Sequence, residues 1–275
     1  MALPAYATTS ERIAHWALRV FVGLVLLFLI SPILAIMPLS FNSDTYFTYP
    51  MPGFSLRWYE DFFGNERWQK ALRTSIVLAL GTTVLATTLG TLAALGLARA
   101  NLPARATIMA ILISPMIVPV IISAIGMFFF YARWGLAGTM VGLILAHTAL
   151  ATPFVVITVT ATLSSFDKTL MRAGESLGAS PRTVFFRVVM PLILPGMISG
   201  ALFAFVTSFD EVIVVLFVAG PEQNTLPRQM FSGIRELISP TITAAASVLI
   251  VFSTTMLLTV EMLRRRSERL RGIRV

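Results

Sequence analysis

Six long stretches without a single Asp, Glu, Lys or Arg constrain this chain more than any other feature of its sequence. They cover residues 20–43, 74–98, 106–132, 134–166, 188–209 and 237–260. Each stretch can hold the roughly 20 apolar residues that a helix needs to cross a bilayer. Hydrophobic residues fill 56% of the 275 positions and charged residues 12%, about half the charged share of a soluble domain. The sequence therefore predicts an all-α polytopic membrane protein.

We expect six transmembrane helices in a single transmembrane domain that covers residues 1–275. Their predicted bounds are about 17–39, 73–98, 107–131, 138–162, 194–218 and 241–262. Prolines inside the apolar runs, in "SPMIVP" (114–119) and "HTALATP" (147–153), predict helices that bend. Between the first two spans, prolines followed by clustered aromatic residues predict an outer loop with a short amphipathic helix.

The distribution of basic residues predicts the orientation, because loops on the cytoplasmic side carry an excess of Lys and Arg. With the amino terminus inside, seven of the 21 basic residues lie outside: Arg57, Arg67, Lys70, Arg73, Arg133, Arg228 and Arg235. The other fourteen lie inside: Arg12, Arg19, Arg99, Arg105, Lys168, Arg172, Arg182, Arg187, Arg264, Arg265, Arg266, Arg269, Arg271 and Arg274. We therefore expect both termini in the cytoplasm.

Several kinds of chemistry are disfavoured by the residues present. The net charge of +8 sits largely beside membrane spans, where basic residues meet anionic lipid rather than nucleic acid. The chain has no cysteine, so it forms neither disulfides nor thiolate metal sites. His15 and His147 lack ligand partners at metal-binding spacing, and we expect His147 to make a hydrogen bond between helices. The chain also lacks a GxxxxGK[ST] phosphate-binding loop, so any ATP hydrolysis belongs to another subunit.

The loop of residues 165–191 between the fourth and fifth spans carries signals for two short helices. Ser164 or Ser165 can cap a helix over residues 167–177, and Gly178 can end it in a left-handed conformation. Ser180 and Pro181 form a start signal for a second helix that runs to about Met190. Pro191 and Pro195 then predict a turn into the fifth span. Such a loop either lies in the headgroup layer or contacts another protein.

The same loop resembles the membrane subunits of bacterial ATP-binding-cassette importers. Their loop reads Glu-Ala-Ala, three residues, Gly, nine residues, then Ile-x-Leu-Pro. Here the frame reads Arg172-Ala173-Gly174, Glu175-Ser176-Leu177, Gly178, nine residues, then Val188-Val189-Met190-Pro191. Arg172 departs from the usual glutamate and Gly174 from the usual alanine, although Glu175 lies one helical turn after Arg172 on the same face. The resemblance implies the type I importer permease fold and a contact with an ATPase subunit through Arg172, Ala173, Gly174, Glu175, Leu177, Gly178, Ala179, Ser180 and Pro181.

A second segment narrows the resemblance to the spermidine/putrescine type of permease. In "SFDEVIVVLFVAGPEQNTLPRQMFSGIRELISPTITAAASVL" (208–249), paired acids, a Gly-Pro turn, Thr-Leu-Pro and Ile-Ser-Pro follow one another as in that branch. The resemblance implies a bacterial cytoplasmic membrane protein that pairs with a second permease, as a heterodimer rather than a homodimer. It also implies two ATPase subunits, which bind ATP and Mg²⁺, and an extracytoplasmic solute-binding protein; the chain itself holds no cofactor and catalyses no reaction.

The acids of the fifth span are the candidate substrate contacts. Asp210 and Glu211 follow Ser208 and Phe209, and one carboxylate is expected to face the pathway because consecutive helical residues point about 100° apart. Alternatively, these acids pair with a basic side chain or lie in the membrane interface. The expected solute is a polyamine. Other amine-bearing solutes, such as an amino acid derivative or an aminophosphonate, stay open, and so does a self-sufficient secondary transporter or channel.

Overall fold

The computed structural model describes residues 8–99, 102–164, 169–236 and 239–270, and these residues are almost entirely helical. The helices are α1 (Thr9–Leu39), α2 (Arg57–Gly64), α3 (Glu66–Leu97), α4 (Arg105–Ile117), α5 (Val120–Arg133), α6 (Met140–Ser164), α7 (Thr169–Ser176), α8 (Pro181–Val184), α9 (Met190–Asp210), α10 (Ile213–Val218), α11 (Leu226–Glu236) and α12 (Thr241–Leu270). A π-helical turn, Phe185–Val189, joins α8 to α9. The all-α prediction is confirmed.

Five helical segments are long and apolar enough to cross a membrane, and the α4–α5 pair makes a sixth if it crosses as one bent span. The five are Thr9–Leu39, Glu66–Leu97, Met140–Ser164, Pro181–Asp210 and Thr241–Thr259. The predicted number of six transmembrane helices therefore depends on whether α4 and α5 together form one span. The described residues group into two compact units, and the prediction of one continuous domain stays a prediction.

The smaller unit contains α1, the following loop, α2 and the first residues of α12. Its loop is held by an antiparallel bridge between Asn42 and Phe54 and by the Trp58 indole, which donates to the Asn42 carbonyl at 2.7 Å. The Thr241 hydroxyl donates to Asp61 Oδ2 at 2.7 Å and so ties the start of α12 to α2. The predicted short amphipathic helix in this loop is confirmed as α2.

The larger unit is built around α3, α6 and α9, which pack together through small residues. Val155 of α6 is fully buried between Gly90 of α3 and Gly200 of α9. A Cβ atom at Gly90 would lie 2.6 Å from the Val155 Cβ, and one at Gly200 would lie 2.9 Å from the Val155 Cα. The two glycines therefore allow three helices to meet at one point, in the manner of small-residue contacts between membrane helices.

The third predicted span, 107–131, is not one straight helix. α4 and α5 meet at 102°, with the break at Val118 and Pro119. Proline cannot donate the backbone hydrogen bond that continues a helix, and it pushes the preceding residue out of the helical region. Val118 accordingly has an extended backbone, with φ −71° and ψ 132°. The bend predicted for the "SPMIVP" segment is confirmed and is sharper than an ordinary proline kink.

The turn predicted at Pro191 and Pro195 is wrong, since α8, the π-helical turn and α9 form one helical segment from Pro181 to Asp210. An α-helical turn before Pro191 would force its ring against a backbone carbonyl. The π-helical turn lies at this place, with the Met190 N–H donating to the Phe185 carbonyl. A π-helical turn is wider than an α-helical turn, and the extra space relieves the clash with the proline. The fifth predicted span, 194–218, also differs, because α9 ends at Asp210 and α10 begins at Ile213.

Candidate functional site

The fifth span is interrupted at the predicted acidic pair. Glu211 leaves the helix with φ −73° and ψ 119°, and α10 starts two residues later. Its Oε1 atom accepts hydrogen bonds from the backbone N–H groups of Ile213, at 2.7 Å, and Val214, at 3.0 Å. The carboxylate thus satisfies two donors that a helix start leaves without partners. Glu211 caps α10, a role that the sequence analysis did not foresee.

Asp210 is the last residue of α9 and is exposed. Within the described ranges, its carboxylate has neither a hydrogen bond nor an ion pair. The carbonyl groups at a helix carboxyl end carry partial negative charge, so this end of α9 and the Asp210 carboxylate favour the same kind of ligand, a cation. Of the two acids, Asp210 is thus the exposed one, whereas Glu211 accepts hydrogen bonds from the backbone of α10.

Ser208 and Phe209 point into the protein. The Ser208 hydroxyl lies 2.9 Å from Nδ1 of His147 on α6, and both side chains are buried. The Phe209 ring packs against Phe205, at 5.5 Å between centroids, and Phe252 of α12, at 5.6 Å. These contacts hold the end of α9 against its neighbours, which fixes the position of Asp210. The hydrogen bond predicted for His147 is confirmed.

The loop that joins α6 to α9 has the local geometry predicted for it. Gly178 has a φ of +79°, its N–H donates to the Glu175 carbonyl at 2.9 Å, and the Ala179 N–H donates to the Gly174 carbonyl at 3.1 Å. This pair of bonds is the Schellman ending of a helix. The Ser180 hydroxyl accepts from the Thr183 N–H at 3.3 Å, with Pro181 at the first helical position.

Of the nine predicted contact residues in the loop, two pack inward and the other seven are exposed. A Cβ atom at Gly174 would lie 3.2 Å from Val184, which is buried in a cluster with Val189 and Ile193, and Ala179 packs against the same cluster. Exposed positions are Arg172, Ala173, Glu175, Leu177, Gly178, Ser180 and Pro181. Leu177 is 88% exposed, the largest exposed fraction of any large apolar side chain among the described residues. Of the predicted first helix, Ser165, Asp167 and Lys168 lie outside the described residues.

A further acid, on α12, was not singled out from the sequence. Glu261 of α12 is half-buried and lines a cavity of about 780 Å³ beside α6 and α9. Glu261 is the sole carboxylate inside the sixth predicted span, 241–262. It lies two residues beyond the apolar segment Thr241–Thr259 and three residues before Arg264, so the cost of an acid at the bilayer centre does not single it out.

Known proteins resemble this chain along most of its length. The family model "Binding-protein-dependent transport system inner membrane component" matches residues 86–269. The spermidine/putrescine transport system permease PotC of Haemophilus influenzae is 31% identical over 247 residues, which cover 90% of this chain and 96% of that protein. The putrescine transport system permease PotI of Escherichia coli K12 is 31% identical over 230 residues, which cover 81% of this chain and 82% of that protein.

Solved structures agree with the predicted fold. A chain of a bacterial ABC transporter that imports the acidic polysaccharide alginate aligns with a TM-score of 0.72 at 15% identity and covers 96% of this chain and 99% of its own length. A chain of the methionine ABC transporter MetNI aligns with a TM-score of 0.57 at 19% identity and covers 74% of this chain and 99% of its own length. The expected importer permease fold is confirmed. Since the family model spans more than half of the chain and the relatives align over nearly their whole length, this chain belongs to the inner membrane components of binding-protein-dependent transport systems.

Proposed function

We propose that this chain is the membrane-spanning subunit of an ATP-driven importer that carries a polyamine, such as putrescine or spermidine, across the bacterial cytoplasmic membrane. The similarity to PotC and PotI over most of the chain supports the polyamine. The observation that carries the proposal is the exposed Asp210 carboxylate at the broken end of α9. Broken membrane helices place backbone dipoles at the binding sites of many transporters.

The acid and the helix end suit the chemistry of an amine. An alkylammonium group donates hydrogen bonds and accepts none, so it is bound best by oxygen acceptors. The Asp210 carboxylate and the carbonyls that end α9 supply such acceptors together. Glu211 contributes indirectly, because its cap on α10 maintains the break that leaves this helix end open.

The loop of residues 165–191 supplies the coupling to ATP. In our proposal Leu177 and the exposed residues Arg172, Ala173, Glu175, Gly178, Ser180 and Pro181 contact an ATPase subunit, which binds ATP and Mg²⁺. The buried contacts of Gly174 and Ala179 hold the loop rigidly against the helix that continues to Asp210. Movement of the ATPase would thus reach the solute site. Arg172 replaces the family's usual glutamate, so its contact is expected to be with an acidic or carbonyl oxygen.

The assembly that we propose contains a second, different permease, two ATPase subunits and an extracytoplasmic solute-binding protein. Both termini of this chain lie in the cytoplasm, with the basic residues near anionic lipid rather than nucleic acid. The chain supplies the pathway and carries out no hydrolysis itself.

Uptake by the reconstituted assembly tests the proposal. Labelled putrescine and spermidine should enter proteoliposomes only with ATP and the ATPase present. Asp210→Asn should raise the half-saturating concentration about tenfold, because a hydrogen bond to a charged group contributes about 1.5–3 kcal/mol and 1.4 kcal/mol is tenfold. Glu222→Gln, which removes an exposed acid from a loop, is the control and should leave uptake unchanged.

Three outcomes would contradict parts of this proposal. Normal uptake by Asp210→Asn in an intact assembly would remove the acid from the pathway. Uptake by this chain without an ATPase would favour a secondary transporter. Competition by an amino acid derivative or an aminophosphonate, but not by polyamines, would assign another amine-bearing solute.

The loop contact has its own test. Leu177→Asp should abolish co-purification of the ATPase with the permease, because a charge on this exposed side chain cannot be buried in an interface without a partner. Leu177→Met keeps an apolar side chain of similar size and is the matched control. Equal ATPase recovery with both variants would show that the loop docks elsewhere.

A further inference from the structure

We propose that the loop of residues 40–56, which joins α1 to α2, is an anchor in the membrane surface whose exposed apolar side chains insert below the phospholipid headgroups. The side chains concerned are Tyr46, Tyr49, Phe54 and Leu56. This inference goes beyond the proposed function and holds for any transported solute. All of its evidence lies within the smaller unit.

The loop begins where α1 reaches the end of its membrane segment. The uncharged part of α1 runs from Val20 to Leu39, and its 20 residues span about 30 Å, the thickness of the hydrocarbon core. No side chain of α1 is buried by the described residues of the chain. A loop that starts at the end of such a helix lies at the level of the headgroups.

Tyr49 brings the loop back toward the hydrocarbon. Its hydroxyl donates to the Ala35 carbonyl at 2.6 Å, and Ala35 lies four residues, about 6 Å, before the end of α1. The ring is 60% exposed and lies beside the last turns of the helix. A phenol hydroxyl that is already hydrogen-bonded to the protein can enter an apolar layer without losing a partner.

Backbone pairing holds the loop in one shape. The Ser43 N–H donates to the Gly53 carbonyl at 3.0 Å, and the Ser55 N–H donates to the Phe41 carbonyl at 2.8 Å. These bonds flank the antiparallel bridge described above. Because paired backbone groups no longer need water, such a loop costs less to bring toward lipid than an unpaired one.

The polar atoms of the neighbouring aromatic side chains are also bound inside the unit. The Trp58 indole donates to the Asn42 carbonyl at 2.7 Å. The Tyr59 hydroxyl lies 2.7 Å from the Ser40 hydroxyl. The surface of the loop therefore presents mainly ring and aliphatic carbon.

Phe54 is the most exposed apolar side chain of the loop, at 79%. Its ring packs against Phe41 at 6.0 Å between centroids, and Phe41 packs against Tyr59 at 5.1 Å, so the ring is held in place. Tyr46 is 72% exposed and Leu56 60%. Exposed apolar side chains grouped in this way mark a contact with a membrane or with another protein.

Phospholipid is the partner that fits this surface better than another subunit. From Thr45 to Leu56 the sequence has no Asp, Glu, Lys or Arg. A protein interface carries about one hydrogen bond per 100–200 Å², and this surface offers few groups to form them. Tyrosine and tryptophan are enriched at the level of membrane headgroups, and the loop continues directly from a membrane helix.

Spin-label accessibility tests the anchor, and the chain suits this method because it has no cysteine of its own. Tyr46→Cys, Phe54→Cys and Leu56→Cys are labelled one at a time, in an assembly with cysteine-free partner subunits in phospholipid nanodiscs. Oxygen concentrates among acyl chains, whereas a polar nickel chelate stays in water. Oxygen should therefore reach each label, and the chelate should not.

Two references calibrate the measurement. Glu60→Cys replaces an exposed charged side chain of α2 and reports water. A phospholipid labelled near its headgroup, in the same nanodiscs, reports the lipid surface. The ratio of oxygen to chelate accessibility at position 54 should be several-fold above that at position 60 and close to that of the labelled lipid.

A second substitution shows whether Phe54 itself holds the loop in the membrane. With the label at position 56, Phe54→Asp should lower this ratio toward the water reference, because a charge opposes insertion into lipid. Phe54→Leu keeps an apolar side chain and is the matched control, which should leave the ratio unchanged.

The other outcomes overturn the inference. A label that both reagents reach lies in water, and a label that neither reaches lies against protein. Either result at position 54, or at position 56 if the first variant does not assemble, shows that the loop is no lipid anchor. An unchanged ratio with Phe54→Asp contradicts it as well. None of these measurements involves a solute, so the proposed function stands or falls separately.

Discussion

The close packing of α3, α6 and α9 at Val155 predicts how far a substitution of Gly90 lowers the stability of the protein. A Cβ atom at Gly90 would lie 2.6 Å from the Val155 Cβ and 2.8 Å from its Cγ1. The Cβ of Val155 is fixed to the backbone of α6, so no rotation of the side chain relieves the first contact. α3 and α6 must separate to admit the extra methyl group.

The expected cost follows from two opposing effects. Overpacking a close-packed interior costs about 1–3 kcal/mol, whereas replacing a helical glycine by alanine gains about 0.5–1 kcal/mol. Gly96, on the same helix, has nothing within 4 Å of a Cβ atom and so isolates the second effect. The free energy of unfolding of the Gly90→Ala variant should therefore be about 1–3 kcal/mol lower than that of the Gly96→Ala variant.

Titration with SDS in mixed micelles measures this difference, with helix content followed by circular dichroism. Equal stability of Gly90→Ala and Gly96→Ala would refute the close contact between α3 and α6.

Three further predictions concern single residues outside this contact. Glu211→Gln keeps an oxygen for the cap of α10 and should preserve the free energy of unfolding, whereas Glu211→Ala should lower it by about 1 kcal/mol in the same SDS titration. Gly178→Ala should lower the thermal midpoint, because φ is +79° and a left-handed residue with a Cβ costs about 1–2 kcal/mol, while Gly178→Asn should be milder. The hydrogen bond from Lys70 and its charge lower the pKa of Glu222, so the contribution of this ion pair is present above the ordinary carboxyl value of 4.5 and lost as pH falls through the lowered pKa. Both side chains are exposed, so thermal melts of Glu222→Gln and the unaltered chain should differ slightly at neutral pH and converge in acid.

Local backbone rules explain what the sequence could predict. Gly178, Ser180 and Pro181 each act within a few residues of themselves, and their predicted roles in ending one helix and starting the next are confirmed. The helical class follows equally directly from the length of the uncharged stretches. Neither depends on which parts of the chain meet in space.

The features of the fold and of the site that could not be predicted depend on contacts between residues far apart in the sequence. The hydrogen bond between His147 and Ser208 joins residues 61 positions apart, and only the fold brings them together. The sequence does not distinguish the roles of Asp210 and Glu211. In the structure the backbone leaves the helix at Glu211, whose carboxylate caps α10, whereas Asp210 is exposed. Proline disrupts an α-helix, which favours a turn at Pro191, whereas the π-helical turn in the structure accommodates this residue within one helical segment.

The π-helical turn at Phe185–Val189 also sets how motion would travel through this helix. From Pro181 to Asp210 the chain is a single helical segment of about 45 Å, so a displacement at one end can reach the other. A π-helical turn holds one residue more than the α-helical turn it replaces. Because the ring of Pro191 opposes an α-helical turn at this place, the extra residue stays in the helix and sets which side of the helical segment carries the Asp210 carboxylate.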